Sequence, residues 1–399
     1  MSNAQQIFEK LEELGDQALQ ILREQAFTPN ITKVLKTFTI SQVSELVGRS
    51  DTYIRNQEKL PDFPKGTQGK KGREYTLEQV NEIRKFLNIS PHKSNDDEPV
   101  IISYANFKGG AAKTTSAVHS AQYLALNGYR VLLVDCDSQA STTQMFGFNP
   151  DEHIDNDETL LNILIQDEQD ITKIIRKTYW DGLDLIPANL GLYNAEFILP
   201  AMQAQMKSSG KHFEFYRALR DAMQPIKKNY DVIIIDCPPS MGMISMNAIY
   251  CSNAFIIPVP PSMLDFASTI QFFAMVKEVF SYFPTKEYAF IRLLITKHDN
   301  QDSNNKLVVT LRALYGNLVL NNMMYTSEAI RKTSSNMLTL YEVDKYDGSK
   351  STHDRAISHM NGVNAEIESL IRKVWSHAPT NKVIEKRLNS LINKETEYV

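Results

Sequence analysis

Three cysteines in 399 residues are too few, and odd in number, for a disulfide framework. Cys136, Cys237 and Cys251 also lack the paired spacing of a zinc site, and they read as reduced thiols. Long apolar runs are missing as well. Val131–Val134, Val232–Ile235 and Ala254–Ile257 fall far short of the roughly 18 residues a membrane span needs. The opening residues, MSNAQQIFEKLEELGDQ, have no basic-then-apolar pattern, so no export signal is expected and the location is expected to be cytoplasmic. There is no excess of positive charge. The net charge of −4 rules out a polycation, so any nucleic-acid contact must use local basic patches. No internal repeat or low-complexity block is present. What remains is ordinary globular usage, 42% apolar and 23% charged, in a chain long enough for two or three domains.

The chain divides into unlike parts. Ile7, Leu11, Leu14, Ala18 and Leu22 form a near-heptad stripe, so residues 1–30 are expected to hold a helix that dimerises with a second copy. Residues 31–87 read as a winged helix-turn-helix. Ile40, Val43, Leu46 and Val47 make one helical face closed by Gly48. Ser50 or Asp51 then caps a second helix over Thr52–Lys59, and Pro61 follows. Residues 61–75 suit a turn or wing, and Thr76 with Gln79 forms a capping box before a third helix. Residues 88–98, NISPHKSNDDE, have the polar composition of a linker. From 99 to 399 the rhythm changes to apolar strands alternating with helices. That pattern predicts an α/β fold, a mostly parallel sheet with helices on both faces.

The strand Val100–Tyr104 runs into Lys108-Gly109-Gly110-Ala111-Ala112-Lys113-Thr114-Thr115 and then a helix, the context a phosphate-binding loop requires. Glycines let backbone N–H groups turn toward an anion, and the helix N-terminus adds unpaired donors. Lys113 can reach the outer phosphates, and the Thr114 hydroxyl can ligate Mg²⁺. The loop departs from the general pattern at Phe107 and Ala112, where glycine is usual, and alanine resists positive φ. Two further strands end in carboxylates: Val131–Val134 runs into Asp135 and then Asp137, and Val232–Ile235 runs into Asp236. Parallel strands share one carboxyl edge, which would gather Lys113, Asp135, Asp137 and Asp236.

These boxes, in this order, resemble the deviant Walker A, DxDPQ and Walker B segments of the ParA/MinD/Soj ATPases. Ser138 stands where proline is usual, and Asp236-Cys237-Pro238-Pro239 is the third box. The resemblance covers residues 99 to about 375. It implies that Lys108 crosses to a partner subunit's phosphates in a nucleotide-sandwich dimer. It implies also that Lys113 binds phosphate in its own subunit and that residues 108–115 cradle the nucleotide. Thr114 would ligate Mg²⁺ with Asp135 and Asp236 in support, and Asp137 would position the attacking water. ATP, ADP and Mg²⁺ are the implied cofactors. The added winged unit makes the whole chain similar to the large SopA-like partition subgroup. For that subgroup the expectation is slow ATP hydrolysis stimulated by a ParB-type partner, with non-specific DNA binding in the ATP state on the nucleoid. The N-terminal unit would bind operator DNA and repress the partition genes.

Between Arg49 and Arg73 seven basic residues face three acidic ones, a local positive excess in an acidic chain. Arg49, Lys59, Lys70, Lys71 and Arg73 suit phosphate contact, and Thr52, Tyr53, Arg55 and Asn56 suit base readout. Arg331 and Lys332, with Lys345, Lys350 and Arg355 nearby, are candidates for a second, sequence-independent DNA surface. The C-terminal stripe of Val383, Ile384, Leu388, Leu391 and Ile392 is expected to pack on the protein, and no membrane contact is expected. The rival readings are a MinD-like membrane-positioning ATPase and a nucleotide-sensing regulator that does not partition DNA.

Overall fold

The computed structural model describes residues 33–69, 72–284, 286–344, 346–375 and 382–393, with isolated positions between 6 and 17. The N-terminal unit is β1 (Phe38–Thr39), α1 (Ile40–Val47), α2 (Asp51–Gln57), β2 (Thr67–Gly69), β3 (Gly72–Tyr75) and α3 (Leu77–Phe86). Its boundaries follow local chemistry. Thr39 with Gln42, and Thr76 with Gln79, close reciprocal capping boxes at the starts of α1 and α3. Gly48 takes the left-handed conformation at φ 67° that ends α1, and Ser50 accepts from the Tyr53 N–H to start α2. Only Gly48, Arg49 and Ser50 separate the two helices. The three strands pair antiparallel in the order β1-β3-β2, and Phe38, Val43, Ile54, Tyr75 and Ile83 are buried beneath them.

The larger unit contains β4 (Val100–Tyr104), α4 (Lys113–Leu126), β5 (Val131–Asp135), α5 (Ser141–Met145), β6 (Arg176–Lys177), β7 (Leu183–Ile186), β8 (Val232–Asp236), β9 (Ala254–Val259), α6 (Met263–Tyr282), β10 (Phe290–Ile295), α7 (Glu328–Ser335), α8 (Lys350–Val374) and α9 (Lys382–Asn393). Among the described residues seven strands form one sheet in the order β10-β9-β4-β8-β5-β7-β6, parallel except for the edge strand β6. The apolar runs are continuous because both faces are covered. Val100, Ile102, Val131, Leu133, Val232 and Ile234 enter one core, and Ile101, Leu132, Val134, Ile233 and Ile235 the other. Each such side chain contributes roughly 1.5–3 kcal/mol on full burial. The first core runs on without a break into the N-terminal unit and takes in α4 and α8.

Polar tethers reinforce that continuity. Arg84 of α3 is buried and donates to the Leu126 carbonyl at the end of α4 at 2.6 Å and to the Leu46 carbonyl at 3.1 Å. Lys33, ahead of β1, donates to the Met145 carbonyl at the end of α5 at 2.7 Å. At the other end of the chain Arg387 of α9 forks onto both oxygens of the fully buried Glu368 at 2.5 and 2.6 Å. Leu388 is buried there, so α9 rests on the protein. No helix among the described residues is long and apolar enough to cross a membrane.

Residues 88–98 do not hang free, although their composition is that of a linker. The His92 ring nitrogen lies 2.9 Å from Asp231, the Lys93 N–H donates to it, and Arg130 forks onto it at 2.7 and 3.1 Å. Burial pushes the Asp231 carboxyl up, but His92 and Arg130 overcome this and hold it well below the usual carboxylate range. An unfolded aspartate titrates near about 3.9. The folded state therefore binds fewer protons just below that pH, and this share of stability, present above it, fades as pH falls toward the folded value. Asp231→Asn should lower stability by about 3 kcal/mol at pH 7 and flatten the acid limb of a melting-temperature profile. An unchanged acid limb would refute the assignment.

The N-terminal helix expected within 1–30 lies largely outside the described residues. Ile7, Leu11 and Leu14 are described, helical and more than half exposed. Lys70, Lys71 and Lys345 lie outside the described residues, as do the side chains of Val383 and Ile384.

Candidate active site

The site forms where β4, β8 and β5 end side by side. The parallel register places Asp135 opposite Asp236, and Tyr104 opposite Asp236 from the other side. The loop after β4 is fastened before it turns. Asn106 donates to the Pro258 carbonyl at 2.7 Å and accepts from the Lys108 N–H at 3.2 Å. Phe107 packs edge-on against Phe272 of α6, with ring centroids 4.9 Å apart, so its departure from glycine anchors the loop. Ala112 adopts the left-handed conformation that alanine was expected to resist, with φ 69° beside Gly110 at 72°. The backbone thus takes its glycine-like turn despite the Cβ.

Lys113 opens α4 and is buried. Its ammonium donates to the Lys108 carbonyl at 3.2 Å. Burial lowers its pKa, against the pull of Asp236, Cys237 and Asp137. Asp236 is buried at the end of β8. Thr142 of α5 donates to its Oδ2 at 2.8 Å, and the Thr114 hydroxyl lies alongside. Oδ1 has no hydrogen-bond partner among the described residues. Burial raises the Asp236 pKa to about 6, with Asp137 pushing the same way. Asp135 is raised to about 8 by burial and by Asp236. Both its oxygens are engaged: Oδ1 accepts from the Asp137 N–H, and Oδ2 from the N–H and hydroxyl of Thr143. Asp135 therefore braces the next turn, while Asp236 offers the open oxygen. Asp137 is half-exposed, and its Oδ1 accepts from the Gln139 N–H at 3.0 Å.

An unsatisfied carboxylate oxygen beside a hydroxyl and a buried ammonium suits a divalent cation that arrives with an anion. Among the described residues no cluster of His, Cys, Asp or Glu could hold a metal by itself. Such an ion would need Thr114, Asp236 and oxygens supplied by a ligand.

Lys108 is placed less simply. Its ammonium pairs with Asp265 of α6 in the same chain at 3.0 Å. That partner, like Thr142, lacked any motif. Asp265 follows the turn Pro260-Pro261-Ser262, where Ser262 accepts from its N–H at 3.2 Å and so caps α6.

The candidate DNA residues fall into two groups. On α2 the side chains of Thr52, Tyr53, Arg55 and Asn56 are exposed around the buried Ile54, and Lys59 beyond it donates to Asn56. Arg73 is engaged within the unit: it pairs with Glu58, which also accepts from Tyr75. In the second group Arg331 is exposed on α7, while Lys332 is held by Asp347 at 2.8 Å.

A family model described as an AAA domain matches residues 100–286. A protein of Rhizobium rhizogenes, named as a candidate replication protein A, is 35% identical over 373 residues, covering 90% of this chain and 92% of the relative. Protein SopA of Escherichia coli strain K12 is 31% identical over 324 residues, covering 79% and 83%. Among solved structures, a candidate plasmid partition protein of Borrelia burgdorferi bound to AMPPNP is similar at TM-score 0.51 and 25% identity, over 69% of this chain and 99% of that one.

Proposed function

The chain belongs to the ParA/MinD family of partition ATPases, and from that premise we propose that it is a plasmid-partition ATPase that hydrolyses ATP to ADP and phosphate with Mg²⁺. The observation that carries the reading is the buried Asp236 carboxylate at the end of β8, close to Thr114 and Lys113, with one oxygen lacking a hydrogen-bond partner among the described residues. Thr114 and Asp236 would hold the ion, with Asp135 behind them, and the ion would neutralise charge on the phosphate oxygens. Residues 108–115 supply the backbone cradle and Lys113 its point charge. Asp137, beside Lys113 and Asp236 and open to solvent, orients the water. Turnover without a partner is slow.

The ATP state is a dimer in which Lys108 leaves Asp265 and reaches the partner's phosphates. The exposed stripe of Ile7, Leu11 and Leu14 gives the dimer a second contact. In that state Arg331 and its neighbours bind DNA of any sequence, and a ParB-type protein stimulates hydrolysis. Residues 31–87 act as a winged helix-turn-helix that reads operator DNA with α2 and represses the partition genes. Against the membrane-positioning alternative, Leu388 of α9 is buried and Leu391 and Ile392 pack on the same core, so these apolar side chains are held on the protein.

The test is binding to random-sequence DNA at fixed salt, with ATP, with ADP and with no nucleotide. Tight binding with ATP alone, weakening steeply as salt rises, is expected. Equal binding in all three conditions would overturn the partition reading.

A further inference from the structure

A carboxylate turns easily about its last bond, so the direction of one oxygen is set by what holds the other. At Asp236 one oxygen is held. Oδ2 accepts from the Thr142 hydroxyl at 2.8 Å, and Oδ1 has no hydrogen-bond partner among the described residues.

The holder is itself fixed. Thr142 is fully buried on the first turn of α5, and its β-branched side chain is stiff. Thr143 beside it donates from its N–H and its hydroxyl to Oδ2 of Asp135 at 2.9 and 2.7 Å. That hydroxyl also accepts from the Ala188 N–H at 2.9 Å, which ties the turn to the chain just past β7. Ahead of both threonines, Ala140 takes a left-handed φ of 53°, and its N–H donates to the Asp137 carbonyl at 2.8 Å. A non-glycine residue keeps such a conformation only where its surroundings enforce it. Two consecutive threonines thus meet two carboxylates that stand opposite each other in the sheet register. The outcomes differ. Both oxygens of Asp135 are engaged, whereas Thr142 engages one oxygen of Asp236 and leaves the other. A threonine hydroxyl has a single proton to donate, and here Oδ2 receives it.

Building on the nucleotide reading above, we infer that Thr142 is a positioning residue for the divalent ion: it fixes the rotation of the Asp236 carboxylate and reserves Oδ1 for the ion that Thr114 would share. Thr142 acts through Asp236 and lies outside the ligand set. Groups that orient a metal ligand in this way typically change metal affinity about 10–100-fold when lost. The phosphate cradle of residues 108–115 makes no use of this hydroxyl, so the effect belongs to the ion and not to the nucleotide.

Calorimetric titration of the full chain with ADP, once with Mg²⁺ and once with EDTA, tests this. Thr142→Val keeps the shape and removes the donor. The gain in ADP affinity that Mg²⁺ gives the parent should shrink about tenfold in this variant, while ADP binding in EDTA stays within about twofold. Thr142→Ser restores the hydroxyl and should recover most of the gain. In turnover assays the Mg²⁺ concentration for half-maximal rate should rise about tenfold in Thr142→Val, with the rate at saturating Mg²⁺ much less affected. A full Mg²⁺ gain in Thr142→Val would overturn the inference. So would an equal loss with and without Mg²⁺, which would make Thr142 a support of the fold alone. Should Thr142→Val melt well below the parent, the comparison of Thr142→Ser with Thr142→Ala isolates the hydroxyl, and equal Mg²⁺ gains in those two would overturn it. A parent that binds ADP with no Mg²⁺ gain, or binds no ADP, would instead sink the nucleotide reading, a result distinct from a parent that gains and a variant that matches it.

Discussion

Asp137→Ala is expected to cut ATP turnover by about a hundredfold or more while ADP affinity stays within a few-fold of the parent. A positioned proton acceptor contributes about 10²–10⁴ to such a step. Asp137 is well placed for it. It follows β5, its N–H is fixed by Asp135, and its charge is felt by both Lys113 and Asp236. It takes no part in the loop that cradles phosphate, so binding should survive its loss. The two quantities are separable by equilibrium nucleotide titration and by phosphate release in a single turnover. Full hydrolysis by the variant would remove Asp137 from the mechanism.

Lys113→Met should do the reverse. Mg-ATP affinity is expected to fall about a hundredfold, because hydrogen bonds to charged groups are worth roughly 1.5–3 kcal/mol and this ammonium sits where burial strengthens them. The nucleotide-free protein should melt no lower than the parent, and slightly higher. Its buried ammonium donates to the Lys108 carbonyl, and desolvation outweighs the attraction of Asp236, Cys237 and Asp137 and lowers its pKa. Removing an under-compensated buried charge relieves the empty state and harms the filled one. A melting temperature that fell with affinity would mean that Lys113 holds the fold rather than the ligand.

These two residues were legible in the sequence because each sits inside a short, strongly patterned box, Asp137 just past the end of β5 and Lys113 at the start of the helix that follows the β4 loop. Val100–Tyr104, Val131–Val134 and Val232–Ile235 are apolar throughout because both sheet faces are covered, and that signal survives in one dimension. The cap of α3 was legible for a similar reason, since a capping box is complete within four residues. What was lost is contact across the chain. Asp265 meets Lys108, and Thr142 meets Asp236, through side chains separated by about a hundred positions or more. Neither carries a local pattern. Strand order was equally hidden, because it depends on where each crossover lands. Residues 88–98 have the polar composition of a solvated linker, yet the buried Asp231 draws the His92 ring and the Lys93 N–H onto its carboxyl beside Arg130. At Ala112 the intrinsic preference was read correctly and overridden by the loop around it.

The grip of Arg84 on the last carbonyl of α4, together with the grip of Lys33 on the last carbonyl of α5, bears on how such a chain can be recombined. The helix that begins at the phosphate loop ends against the unit proposed to read DNA. Residues 31–87 therefore cannot be swapped between relatives as a cassette. A chimera that imports a foreign reader must also import its matching helix end, or its buried guanidinium loses the Leu126 carbonyl and keeps the Leu46 carbonyl of its own unit. The reader and the motor are expected to diverge together, as one heritable unit.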